Sequence, residues 1–162
     1  MPAAGKPKTF TFLAFRSGAE EAMNLYTSLF ADAEVHNVIR ARAGEPGWTE
    51  GTLQHAAFSF AGQHYMCINM PPHGAQGHDH APWHEYGFSP AFAIFVQCES
   101  DEEFNRLYAA LSEGGEVITA PGRFGFSRNF TWLNDRFGMS WRINLSADVP
   151  VGNGEAKTAV SS

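Results

Sequence analysis

The stretches EEAMNLYTSL (residues 20–29) and EEFNRLYAAL (residues 102–111) share the pattern EE-x3-LY-x2-L. Five identities at one offset, each copy preceded by an apolar segment with strand-like alternation, point to duplication of a supersecondary unit rather than to two unrelated helices. Each copy reads as a helix. Ser17 with Glu20, and Ser100 with Glu103, have the S-x-x-E spacing in which a hydroxyl takes a first-turn amide, and the acidic side chains suit the positive helix end. Ala22, Tyr26, Leu29 and Phe30 form the expected buried stripe of the first helix, and Phe104, Leu107, Tyr108 and Leu111 that of the second. Gly114 and Gly115 stop the second helix.

Outward from the helices, strands are expected at 9–16, 34–42, 53–61 and 63–70 for the first unit, and at 90–98, 116–120, 128–135 and 139–146 for the second. The breaks AGEPGWTEG (43–51) and AGQ (61–63) supply turns. The order is βαβββ, twice. The expected fold class is therefore α+β, with two βαβββ modules forming a curved, mostly antiparallel sheet cup. Module 1 covers about 8–70, a linker 71–89 and module 2 about 90–146, followed by a polar tail, ADVPVGNGEAKTAVSS, over 147–162.

A chain of 162 residues with 44% hydrophobic content supports one ordinary core. A formal charge of -6 with only 11 Lys plus Arg argues against nucleic acid, because phosphate neutralisation needs a concentrated basic face. The expected partners are a small organic molecule and a second copy of the chain in a homodimer. Cys67 and Cys98 lie far apart in apolar runs and read as buried reduced thiols, which fits a cytoplasmic location. The opening MPAAGKPKTFTFLAFRSGA is read as a strand leading into a helix and not as a secretory signal, and no stretch approaches the length of a membrane span.

Successive strand residues face opposite sides, so each strand divides into two sets. One set is large and apolar and is expected under the helices: Phe10, Phe12, Phe58, Phe60, Phe92, Ile94, Val96, Trp141 and Ile143. The opposite set is mixed: Thr11, Leu13, Phe15, His55, Ala57, Ser59, Tyr65, Cys67, Asn69, Ala91, Ala93, Phe95, Gln97, Trp132, Arg142 and Asn144. Small residues that leave volume, with scattered hydrogen-bonding groups and a few aromatics, suit a concave ligand site. A solvated sheet face or a dimer surface uses the same composition.

Within that set His55 is the candidate catalytic group, because imidazole both takes and gives a proton near neutral pH. Arg142 offers a planar fork for a carboxylate or phosphonate; Tyr65, Asn69 and Gln97 offer neutral hydrogen bonds, and Trp132 a stacking surface. Thr11 and Phe95 complete the wall, with Phe124 and Phe126 at a rim. No Ser/His/Asp set, activated cysteine or phosphate loop stands out.

The segment PPHGAQGHDHAPWHEYG (71–87) holds His73, His78, His80 and His84 beside Asp79 and Glu85. It reads as a hydrated connector, as a zinc or nickel site, or as a lid in which Trp83 and Tyr86 close over the cup mouth. Glycine-rich backbone does not preorganise ligands, so metal is disfavoured there.

FLAFRSGAEEAMNLYTSLFADAEV (12–35), GQHYMCINMPP (62–72), SPAFAIFVQC (89–98), LYAALSEGGEV (107–117) and FGFSRNFTWLNDRFGMSWRINL (124–145) together resemble the PhnB-like branch of the vicinal oxygen chelate superfamily. That superfamily also contains glyoxalase I, bleomycin-resistance proteins and extradiol dioxygenases. The resemblance spans about 8–146, and its most specific segment is W-x-x-D-x-F-G-x-S-W, here Trp132, Asp135, Phe137, Gly138, Ser140 and Trp141. It implies paired βαβββ modules around one site, often in a homodimer.

Metal enzymes of the superfamily carry ligands at positions that correspond to Thr11, Asn69, Ala93 and Arg142. Ala93 has no donor atom and Arg142 is cationic, so no metal and no cofactor is expected; sliding the match offers only His55 or His64. Relatives are often labelled ubiquinone-pathway methyltransferases, yet a methyl-donor fold needs a Gly-rich βα turn, and the only G-x-G here is Gly152 and Gly154 in the tail. The expectation is a metal-free binding protein or weak enzyme. Its alternatives are a metal-dependent isomerase, lyase or dioxygenase with ligands elsewhere, and a non-catalytic dimerisation module.

Overall fold

Eight strands and two helices are seen in a computed structural model, which describes residues 6–71 and 87–147. The first unit contains β1 (Thr11–Phe15), α1 (Ala19–Ser28), β2 (Glu34–Arg40), β3 (Leu53–Phe60) and β4 (Gln63–Asn69). The second contains β5 (Ile94–Cys98), α2 (Asp101–Ser112), β6 (Glu116–Phe124), β7 (Ser127–Asn134) and β8 (Ser140–Ser146). The strand orders are β1-β4-β3-β2 and β5-β8-β7-β6, so each module makes the same mixed, unclosed four-stranded sheet. β1 with β4 and β5 with β8 are parallel; every other pair is antiparallel. The α+β class and the doubled βαβββ order follow directly from the repeat.

By compactness the chain divides into Met1–Phe92 with Arg136–Met139, and Ala93–Asp135 with Ser140–Ser162. The turn between β7 and β8 therefore belongs to the first unit. Its Phe137 ring meets Phe15 and Tyr26 edge-on at 6.3 and 6.4 Å, and Gly138 has a φ of 86°, which glycine adopts without a Cβ clash. Most of the expected linker (71–89) and tail (147–162) lies outside the described residues, which omit 72–86 and 148–162.

The core of the first unit is aromatic. Phe60 stacks on Tyr65 at 4.4 Å and on Phe30 at 4.8 Å, and Phe58 stacks on Tyr65 at 5.6 Å, all beneath α1. The second unit packs Phe104, Leu107 and Leu111 of α2 over Leu133, Trp141, Ile143 and Leu145. Tyr26 is fully buried, whereas its repeat equivalent Tyr108 is only half-buried and Leu107 takes the core position. The two copies of the helix are thus turned differently on their sheets.

The α2 start carries the expected serine cap: Ser100 Oγ accepts from Glu103 N at 3.1 Å, and the Glu103 carboxylate reaches back one residue beyond the cap to accept from Glu99 N at 2.8 Å. The α1 start does not. Gly18 is its N-cap, Ser17 makes no capping bond, and the Ala19 amide instead donates to Asn69 Oδ1 at 3.0 Å from the end of β4. The Asn69 amide also donates to the Leu53 carbonyl at 2.8 Å, tying α1, β3 and β4 together. Replacing Asn69 with alanine is expected to cost about 1–2 kcal/mol, the usual range for a lost cap. Urea unfolding checks it; a change below the scatter of the titration counts against the capping role.

Two other boundaries differ from expectation. β6 continues to Phe124 through Pro121 and Gly122, because it is an edge strand whose irregular register tolerates a missing amide. β5 starts at Ile94 because Ser89–Phe92 form a turn, with Phe92 N donating to Ser89 O at 3.0 Å. No helix among the described residues is long and apolar enough to cross a membrane.

Candidate functional site

Each sheet has one side packed on its helix and one open side. In the second unit Ile94, Val96, Cys98, Trp141, Ile143 and Leu145 are buried on the helix side. Their alternates Phe95, Gln97, Arg142 and Asn144 stand on the open side, where Phe95 pairs with Arg142 and Gln97 with Asn144. Trp132 pairs with Arg142 from β7, and Phe130 pairs with Asn144. Four of the expected site residues, Phe95, Gln97, Trp132 and Arg142, are thus brought together on one face.

That face is ordered by hydrogen bonds. Asn144, 1% exposed, donates from Nδ2 to Gln97 Oε1 at 2.8 Å and accepts from Ser127 Oγ, while Gln97 Nε2 donates to Ser146 Oγ at 3.2 Å. Trp132 Nε1 donates to Ser140 Oγ at 2.8 Å. The Arg142 guanidinium lies 4.4 Å from the Trp132 ring centre, a cation–π arrangement. Phe126 stands 80% exposed beside the β6–β7 turn, and Phe124 meets Phe130 edge-on at 5.9 Å. Trp83, Tyr86 and the histidines at 73, 78, 80 and 84 lie outside the described residues.

In the first unit the assignment of faces needs correction. His55, Ala57 and Ser59 are opposite in parity to buried Phe58 and Phe60, as expected, but Tyr65, Cys67 and Asn69 share the helix side with those phenylalanines. Thr11 pairs with Tyr65, and Leu13 and Phe15 are buried on the same side, so β1 is inverted relative to expectation. Phe12, expected under the helix, is 55% exposed on the open side. Both ends of the Asn69 side chain are engaged by α1 and β3. Burial pushes the Tyr65 phenol up to about 12 and the Cys67 and Cys98 thiols up to about 11 and about 12, so these groups stay protonated and unreactive at neutral pH.

His55 Nδ1 is buried with no hydrogen-bond partner. His36 adds a residue that parity counting missed. It sits where the β2–β3 register shifts; its Nε2 lies 2.8 Å from Ser59 Oγ and its ring 5.7 Å from that of His64. A bulge moves a side chain to the face that strict alternation denies it. Among the described residues no three His, Cys, Asp or Glu side chains converge as a metal site. The four positions carried from metal-dependent relatives do not fit one chemically: Ala93 has no donor, Arg142 is cationic and Asn69 is committed to backbone groups.

Two hollows of about 620 and 410 Å³ flank the start of α1, both lined by Arg16, Ser17, Gly18 and Glu21. The larger adds Phe88, Arg136 and Phe137; the smaller adds Trp48, Leu53 and Asn69. Strand parity gives little signal for them, because they are built mainly from loops and a helix end, with only a few strand residues.

A family model described as 3-demethylubiquinone-9 3-methyltransferase matches residues 7–144. A PhnB protein from Bacillus cereus, which carries the same methyltransferase designation provisionally, is 38% identical over 86% of this chain and 100% of its own, with a TM-score of 0.73. The chain belongs to the PhnB-like branch of the vicinal oxygen chelate superfamily. Protein PA1353 from Pseudomonas aeruginosa has the same fold at 23% identity, covering 88% of this chain and 100% of that one, with a TM-score of 0.68. A glyoxalase/bleomycin resistance protein/dioxygenase family enzyme from Burkholderia phytofirmans PsJN shares it at 13% identity, covering 85% and 97%, with a TM-score of 0.58. No curated protein matches.

In this PhnB-like chain the W-x-x-D-x-F-G-x-S-W segment is largely architectural. Trp132 donates to Ser140, Trp141 Nε1 donates to Asp135 Oδ2 at 2.9 Å, and Phe137 with Gly138 makes the turn that joins the first unit. Each indole N–H is satisfied by another residue of the same segment, so the spacing is set by hydrogen bonding and packing.

Proposed function

We propose that this PhnB-like chain binds a small organic molecule on the open face of its second sheet without a resident metal, as a binding protein or a slow enzyme built on such binding. The observation that carries this reading is the Gln97–Asn144–Ser127–Ser146 network set beside Phe95, Phe130 and Trp132. A few fixed polar groups among aromatic surfaces orient a guest and shield it from water. Exposed Phe126 supplies a rim in this reading, and His55 is assigned as the base for any turnover. A homodimer and a cytoplasmic location belong to the same proposal.

The methyltransferase designation is not adopted. Two mixed, mostly antiparallel sheets lack the parallel βαβ turn at which nucleotide-like donors are held. Thermal-shift screening of a neutral and charged aromatic panel tests the proposal, using wild type and the Phe95→Ala and Gln97→Ala variants, whose side chains are exposed. Guests that raise the wild-type midpoint are expected to lose that effect in both variants. A panel that shifts nothing, or shifts all three proteins equally, overturns it.

A further inference from the structure

Building on that reading, we infer that the guest of the second sheet is an aromatic carboxylate bearing a hydrogen-bond donor on its ring. Arg142 is the reason for the charge. Ion pairs form at His36–Glu34, Arg40–Glu20 and Arg128–Asp101, and none of these involves Arg142. Its Nε is buried and has no acceptor. The polar pair two residues along the same face, Asn144 and Gln97, is neutral and already bonded together, so it does not neutralise Arg142. A guanidinium with unused donors is matched by a planar anion, and a carboxylate meets that fork with two parallel hydrogen bonds; Glu116, exposed on β6 in register with Asn134, stands toward the other end of the face.

Trp132 and Phe95 are the reason for the ring. Both pair with Arg142, one from each neighbouring strand, so an anion at the guanidinium has an aromatic surface on either side. Asn134 supplies the third element. It stands two residues along β7 from Trp132, on the same face, and its Oδ1 is buried with no donor. Two strand residues advance roughly 7 Å, about the span from a carboxylate to a hydroxyl across a benzene ring. Arg142 and Asn134 are both half-buried, and the inference requires each side chain to turn its unpaired atom toward the guest on the open face. An anionic aromatic guest with a ring hydroxyl satisfies both atoms at once.

Calorimetric titration with 4-hydroxyphenylacetate, phenylacetate and 4-hydroxyphenylacetamide tests the inference on the full chain. The hydroxy acid is expected to bind tightest, with the amide weaker by about tenfold or more, the scale of a lost charge-assisted pair. Arg142→Gln is expected to weaken the acid to the level of the amide while leaving the amide unchanged, and Arg142→Lys to recover only part of the loss. Asn134→Ala is expected to reduce binding of the hydroxy acid but not of phenylacetate. Matching unfolding midpoints establish that the variants are folded; a variant that fails this check is replaced by Arg142→Lys or Asn134→Ser, which preserve more of the local bonding. Equal binding of acid and amide overturns the inference while leaving the proposed function standing. Failure of the entire aromatic panel on wild type overturns both.

Discussion

Replacing Trp141 with alanine is expected to destabilise the protein by about 3–5 kcal/mol, the usual range for a large aromatic removed from a core. Trp141 is fully buried under α2, in register with Ile94 on one side and Leu133 on the other, and its N–H is bonded to Asp135. The substitution removes the ring, opens a cavity and takes a donor from a buried carboxylate. Trp141→Phe retains most of the apolar area and removes the N–H, so its cost is expected to be about 1–3 kcal/mol. Urea unfolding followed by circular dichroism measures both. A loss under about 1 kcal/mol for Trp141→Ala contradicts the architectural role given to the motif.

Phe60→Ala is expected to have a comparable effect in the first unit, about 3–5 kcal/mol. The Phe60 ring is 1% exposed and stacks between Tyr65 and Phe30, with Tyr26 and Phe58 also in ring contact. Loss of the ring removes several aromatic pairs together, so the near-ultraviolet dichroism of the folded state is expected to weaken as well. Phe60→Leu keeps apolar volume and is expected to recover more than half of the loss. An alanine variant as stable as wild type would show that the stack contributes little.

The legible parts of this fold were those with local or strongly contrasting signals. The duplicated helix needed only EE-x3-LY-x2-L, and the Ser100–Glu103 cap is a contact over three residues. The face of the second sheet was readable because Ile94, Val96, Trp141 and Ile143 alternate with Phe95, Gln97, Arg142 and Asn144, a contrast in polarity that only one orientation satisfies. In TFLAF and QHYMCIN both parities contain apolar residues, so alternation alone gives no preferred side, and β1 and β4 came out reversed. The Asn69 cap was invisible because its partner lies fifty residues away in sequence. His36 was missed for a related reason, since a bulge breaks the count on which parity depends.

The assignment of residues 136–139 to the first unit bears on how such a duplicated protein can be dissected. A cut between residues 92 and 93 would leave the amino-terminal half without Phe137, the ring that meets Phe15 and Tyr26 in its interior. The modern chain therefore cannot be returned to an autonomous ancestral repeat by a single cleavage. The amino-terminal half draws part of its interior from the far end of the sequence, and a fragment ending at residue 92 is expected to gain order when the segment carrying Phe137 is supplied.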